Sequence, residues 1–391
     1  MPVTFKPNTQ EELAPETAVK LERARFPHYG RYLEEFVPGQ VFQHPRGITV
    51  DRGMAKAFAT TFMQGNPLYL NEEFAKAHGF STTPLCPQMV FNLVLSLGVQ
   101  NDSEKAIANL GYYNAQFLRP VYPGDTIRSL TKVVDRAERG AEKPGIATIL
   151  TLGLNQRDEV VLQYKRKIMV AYRGERPVTI PAQNTNAAFP WQQDPSIELP
   201  APTTSYPTTL TGATTYFEDF AVGDIIVHAN GRTITDEHVN WTYGVGNTHP
   251  LHYDRIYSTS QKGAMSGEPI VYGGLVFAWL DGIASRDLSE NCLWEMGFTE
   301  GYHTQPAFRN DTVAALSRVL DTTGGPAGLP ASVVTVQFIG VKNITANDAL
   351  QRYGEELFIK EGSKRKLGKE KISDKIFEIE RQLLIKHRPV N

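Results

Sequence analysis

The feature that most restricts the fold of this 391-residue chain is that it nearly repeats itself. Tyr32-Leu-Glu-Glu-Phe36-Val-Pro-Gly39 returns as Tyr216-Phe-Glu-Asp-Phe220-Ala-Val-Gly223. Gly65-Asn66-Pro67-Leu68-Tyr69-Leu-Asn71 returns as Thr248-His249-Pro250-Leu251-His252-Tyr-Asp254. Phe117-Leu-Arg-Pro120-Val-Tyr-Pro-Gly124-Asp125-Thr126 returns as His303-Thr-Gln-Pro306-Ala-Phe-Arg-Asn310-Asp311-Thr312. Val161-Leu-Gln-Tyr-Lys-Arg-Lys-Ile-Met-Val170 matches Ile376-Phe-Glu-Ile-Glu-Arg-Gln-Leu-Leu-Ile385. Four matches in one order make the chain two related domains in tandem, which its length also favours. The divisions expected are 26–175, a linker at 176–211 rich in Pro, Thr, Ser and Asn, and 212–391. The prolines suit an extended connection across a surface.

Within each copy an early strand pair leads to a short helix, a loop with an Asn-Pro or His-Pro turn, and a long apolar helix. Those helices are expected over Gln88 to Gly98 and Gly274 to Ser285. Thr148 to Leu154 and Ser332 to Phe338 show the β-branched, partly alternating pattern of half-buried strands. One apolar helix followed by antiparallel strands predicts an α+β arrangement, a sheet wrapped around a helix. Lys360 to Lys371 reads as a solvated loop, its positive charge diluted by Glu361, Glu370 and the following Asp374.

A formal net charge of -2 offers no general attraction to nucleic acid or to an anionic membrane. Cys86 and Cys292, far apart in apolar surroundings, support neither a disulfide framework nor a cysteine zinc site. Met1-Pro-Val-Thr-Phe5 begins no stretch of signal-peptide type, and no apolar run approaches membrane-spanning length, so a cytoplasmic protein is expected.

Chemistry concentrates in Tyr243-Gly-Val-Gly-Asn247-Thr-His249-Pro250-Leu-His252-Tyr-Asp254, followed by Pro269-Ile-Val-Tyr-Gly273-Gly274-Leu275. Histidine is suited to proton transfer near neutral pH, and a glycine at a helix start lets a substrate oxygen approach backbone N–H groups. The pattern points to acid–base work beside a polarised carbonyl. A His-x-x-His pair could instead hold a metal, with His303 as third ligand, but no acidic or cysteine cluster accompanies it. Each residue has a structural alternative: His252 and His249 as braces of a turn, Gly273 as a packing glycine, Asp254 as a cap.

The loop and the helix start together resemble the MaoC-like hydratases, whose loop reads Gly-Asp-x-Asn-Pro-[Ile/Leu]-His-x-Asp and whose domains have the hotdog fold. The tandem arrangement resembles the double-hotdog members. Ala108-Asn109-Leu110-Gly111-Tyr112, Phe117 to Thr126, Asn247 to His252 and Ser285-Arg-Asp-Leu-Ser-Glu-Asn291 are most similar to its mesaconyl-CoA hydratase branch. The resemblance implies hydration of a branched dicarboxylic 2-enoyl-CoA by a homodimer, with CoA carried in on the substrate and no metal or redox cofactor. It implies His252 as the base that activates water, and Gly273, with Gly274 beside it, as the donor to the thioester oxygen. The family's acidic residue falls at Asn247 and its Asn at His249, so either of these replaces the missing carboxylate.

In the first copy the corresponding residues are Gln64, Asn66 and Tyr69, with Leu85-Cys-Pro-Gln88 at the helix start. No base or glycine remains there, which implies a non-catalytic half that shapes the acyl pocket. A second carboxylate on the substrate calls for an arginine, with Arg119, Arg309 and Arg255 as candidates. The alternatives are hydration of itaconyl-CoA or crotonyl-CoA, a hotdog thioesterase, and a non-catalytic acyl-CoA binding protein.

Overall fold

The computed structural model describes residues 21–140, 143–173, 188–200, 206–261 and 266–389; parts of the expected linker lie outside them. The first half contributes β1 (Val41–Thr49), α1 (Arg52–Thr61), α2 (Glu72–Ala77), α3 (Pro87–Val99), β2 (Ala106–Phe117), β3 (Thr126–Ala137), β4 (Gly145–Leu154) and β5 (Val160–Val170). The second half repeats that order as β6 (Ile225–Thr233), α4 (Glu237–Gly244), α5 (Arg255–Ser260), α6 (Gly273–Ala284), β7 (Cys292–His303), β8 (Thr312–Thr323), β9 (Ala331–Lys342) and β10 (Lys375–Lys386), with α7 (Ala346–Tyr353) and α8 (Glu361–Lys364) inserted before β10.

The α+β expectation of a curved sheet around a helix is met, and both halves share one antiparallel sheet ordered β1-β3-β4-β5-β2-β7-β10-β9-β8-β6. At its centre β2 pairs with β7, Tyr112 opposite Gly301 and Ala115 opposite Phe298, a register that maps onto itself when the halves are exchanged. The expected early strand pair is a single strand in each half, β1 or β6, paired with β3 or β8 across the sheet.

All thirteen residues of α3 are buried, and α6 is buried from Gly274 to Ala284. Helices this apolar must be covered on every side, and here the sheet and the partner helix do so, their few polar side chains (Gln88, Asn92, Ser96 and Asp281) being hydrogen-bonded inside. Close approach is set by glycine. A Cβ on Gly153 or Gly340 would lie 2.3 Å from Val94 or Leu280 of the enclosed helix, and one on Gly282 would lie 1.7 Å from the Phe62 carbonyl. The helices touch where Asn92 Nδ2 donates to the carbonyls of Gln88 and Gly274.

Between α7 and β10 the structure departs from the solvated loop read in the sequence. Lys360 pairs with Glu300 and Glu380, while Lys364 and Glu361 are buried and 2.8 Å apart. The charges dilute one another by pairing inside the fold. Among the described residues, no helix is long and apolar enough to cross a membrane.

One buried charge cluster joins the halves. Arg381 on β10 donates from Nε and Nη2 to Glu295 of β7 at 2.7 and 2.8 Å, and from Nη2 to Asp281 of α6 at 2.5 Å. Gln64 donates to the other oxygen of Asp281 at 3.0 Å, and Gln88 donates to Glu295 Oε2, already an acceptor from Arg381, at 2.9 Å. Removing the cation would strand two carboxylates in the interior. Arg381→Met is therefore expected to cost roughly 3–5 kcal/mol in denaturant unfolding, whereas a loss under about 1 kcal/mol would show the cluster to be dispensable.

Candidate active site

Two loops in equivalent places have the same backbone solution. In the first, Asn66 caps a 3-10 turn over Pro67–Tyr69, its Oδ1 accepting from the Leu68 N–H at 3.0 Å. In the second, His249 caps Pro250–His252, its Nδ1 accepting from the Leu251 N–H at 3.2 Å. Proline at the first position of each turn fixes φ and needs no N–H partner. Asp254 then caps α5 through the Tyr257 N–H at 3.0 Å.

The second loop opens on a cavity of about 250 Å³ that lies between the halves. Asn247, His249, His252 and Gly273 line it from the second half, and Asn109, Tyr112 and Arg166 from the first. Of the residues given a part in the chemistry from the loop and the helix start, Gly274 stands away from it. Its Cα faces α3, where a Cβ would lie 2.0 Å from Asn92 Oδ1, so Gly274 is a contact between the two helices.

His252 Nδ1 lies 2.9 Å from the Ile270 carbonyl oxygen. A carbonyl only accepts, so Nδ1 carries the hydrogen and Nε2 keeps its lone pair. Burial, then the neighbouring His249, lowers the His252 pKa to about 3. His249 is differently placed. Besides capping through Nδ1, its Nε2 donates to the Ala106 carbonyl at 3.1 Å, so both ring nitrogens are engaged by backbone. With both nitrogens engaged, His249 does not fit the part of the missing carboxylate; it braces the loop. Asn247 accepts from the His249 N–H through Oδ1 at 2.9 Å, while its Nδ2 donates to no described residue.

Gly273 begins α6, and its N–H and that of Gly274 are first-turn donors with no intrahelical acceptor. A Cβ on Gly273 would sit 2.5 Å from the His303 ring. His303 Nε2 lies 3.3 Å from the Tyr112 hydroxyl, and burial lowers its pKa to about 4. No group of three or more His, Cys, Asp or Glu among the described residues could hold a metal, and His249 has no nitrogen to spare for one.

None of the three arginines nominated from the sequence reaches the cavity. Arg119 pairs with Glu198, Arg309 with Asp236 and Arg255 with Glu268, all in solvent-facing bridges. The arginine on the cavity wall is Arg166, and its signal in the sequence was its match to Arg381 in the last repeated segment. The first-half counterpart of the cavity is a space of about 10 Å³, bordered by Gln64, Asn66, Tyr69 and the Arg381 cluster. Packing has closed it.

Comparison with known proteins agrees with this arrangement. A mesaconyl-CoA hydratase of Cereibacter sphaeroides is 33% identical over 294 residues, covering 75% of this chain and 84% of that protein. The chain belongs to the mesaconyl-CoA hydratase family. A β-methylmalyl-CoA dehydratase of Chloroflexus aurantiacus is 30% identical over 331 residues, 83% of this chain and 92% of its own length. The family model described as mesaconyl-CoA hydratase matches residues 13–206, the half that carries Arg166 and lacks the His252 loop. Among solved structures, a MaoC domain protein dehydratase from Chloroflexus aurantiacus superposes with a TM-score of 0.76 at 27% identity, covering 92% of this chain and 98% of that one. A double-hotdog protein of Mycobacterium tuberculosis, at 19% identity and a TM-score of 0.66 over 91% of this chain and 98% of its own, shares the fold.

The buried imidazoles predict an acid limit to stability. Burial lowers His44, His78, His249 and His303 to about 4, and His252 to about 3, from an ordinary 6.5. Above pH 6.5 these rings are neutral folded and unfolded alike. Between 6.5 and about 4 the unfolded chain takes up protons that the folded one refuses, so unfolding gains as pH falls. The thermal midpoint should hold nearly level down to about pH 7 and fall from there to pH 5; a flat profile across that lower range would contradict the neutral assignment.

Proposed function

We propose that the protein reversibly hydrates a branched dicarboxylic 2-enoyl-CoA, with mesaconyl-CoA as substrate and β-methylmalyl-CoA as product. The observation that carries this is the fixed tautomer of His252, whose free Nε2 shares a cavity with Gly273 at the start of α6. In the reading, Nε2 takes a proton from water as the water oxygen bonds to the β-carbon. The double-bond electrons pass toward the thioester oxygen, which faces the Gly273 N–H and the positive end of the helix. The imidazolium then returns its proton to the α-carbon, so that H and OH are added and the base is restored. Asn247 orients the water with its free Nδ2, and His249 holds the loop.

The first half provides no base in this scheme, since Gln64 and Asn66 are hydrogen-bonded into the closed counterpart, which Tyr69 also borders. CoA is part of the substrate, and no cofactor enters a step. A cytoplasmic homodimer completes the proposal, supported by the composition and by the family resemblance respectively.

An enoyl-CoA panel followed by loss of the conjugated chromophore tests the reading. His252→Ala should lower hydration by about two orders of magnitude or more, as expected for loss of a general base. Near-normal turnover by that variant would refute the assignment, and thiol release in place of hydration would favour the thioesterase. Gly273→Ala, whose methyl would meet His303, should reduce turnover by about a hundredfold through the displaced oxyanion donor.

A further inference from the structure

Arg166 projects from β5 to the cavity wall and is 4% exposed. Its Nε has no hydrogen-bond partner among the described residues. Its Nη2 makes two long contacts, 3.5 Å to Asp102 Oδ1 and 3.3 Å to Ser103 Oγ. Asp102 is shared, accepting from Thr131 at 3.3 Å and lying 3.7 Å from His44. Asn109 of β2 adjoins the Tyr112 hydroxyl, yet its Oδ1 and Nδ2 make no hydrogen bond of ordinary geometry. A buried cation held this thinly is costly unless something else completes its shell.

The repeat provides the control. Arg381 is the sixth residue of Ile376 to Ile385, as Arg166 is of Val161 to Val170. Counted from the first residues of β7 and β2, Cys292 and Ala106, Glu295 and Asn109 are equivalent. Counted from the helix N-caps Tyr272 and Cys86, Asp281 and Leu95 are equivalent. Both carboxylates that neutralise Arg381 at 2.5–2.8 Å are thus absent around Arg166. Asn109 and Leu95 stand in their places, both on the cavity wall.

We infer that Arg166, with Asn109 beside it, binds the free carboxylate of a dicarboxylic acyl-CoA, the ligand's anion taking the place that Glu295 and Asp281 take around Arg381. The identity of the acyl chain rests on the hydratase reading; the anion site itself does not. A guanidinium meets a carboxylate in two parallel bonds, and Asn109 Nδ2 supplies a further donor. In mesaconyl-CoA this carboxylate sits on the β-carbon, the atom that water attacks. Gripping it fixes that atom relative to His252, and places the selecting residue in the half without a base.

The test uses saturated, unreactive thioesters, so that binding is read apart from turnover. Wild type should bind 2-methylsuccinyl-CoA over 2-methylbutyryl-CoA by roughly a hundredfold or more, the order expected when a buried charge is left unpaired. Arg166→Lys, which keeps the charge and loses the fork, should reduce that ratio. Asn109→Glu installs the carboxylate found beside Arg381; it should fold with an unchanged or higher thermal midpoint and bring the ratio close to one. Equal affinities in wild type, or an intact preference in folded Asn109→Glu, would overturn the assignment. Preference without hydration of mesaconyl-CoA or 2-methylcrotonyl-CoA would remove the hydratase reading and leave the anion site. Hydration without preference would do the reverse.

Discussion

Everything in the molecule follows from packing two buried helices side by side inside one sheet. Neither α3 nor α6 has a face that tolerates water, so each needs the other and needs strands from both halves. The β2–β7 pairing closes that arrangement around an approximate twofold axis. A consequence is that each loop at a helix start is completed by the opposite half. The His252 loop meets β2 and β5, and the Asn66 loop meets β7 and β10. The fold therefore makes two composite sites, and a tandem chain, unlike a symmetric pair of identical chains, can specialise them separately.

Charge and volume distinguish the two. One site is filled by Arg381, Asp281, Glu295, Gln64 and Gln88, every carboxylate oxygen facing a donor. The other replaces that filling with Leu95, Asn109 and a cavity, and keeps the arginine. An unfilled cavity with a thinly paired cation lowers stability, and such local cost is what binding sites commonly carry. The packed twin sits across the same two helices and offsets it. Specialisation has thus made one site a structural cluster and the other a receptor.

Much of this was legible in the sequence, and the limits are physical. The repeat gave the two halves, and the apolar runs gave both central helices to within a residue or two, because helices buried on all sides leave no ambiguity of face. The loop residues Asn247, His249 and His252 and the helix start at Gly273 do converge. The role of His249 was hidden by its chemistry: a histidine invites a catalytic reading, whereas its match to Asn66 before proline marks a cap. Arg166 was missed because strand periodicity places an arginine on a face without saying what lies opposite. Arg119, Arg255 and Arg309 drew attention by nearness in sequence to motifs, and each ends in a surface ion pair.

The electrostatics of the open cavity make sense with an anion in it. Burial holds His252 and His303 neutral, which keeps the basic lone pair available but makes the imidazolium expensive. A carboxylate entering at Arg166, and the charge that develops on a thioester oxygen, both favour a protonated ring nearby. The base would then gain strength as the substrate binds and the reaction proceeds, and lose it when product leaves. A ligand with one carboxylate fewer leaves Arg166 with only its long contacts to Asp102 and Ser103 and supplies less of that help, so selection at β5 and proton transfer at His252 become coupled through the field inside one cavity.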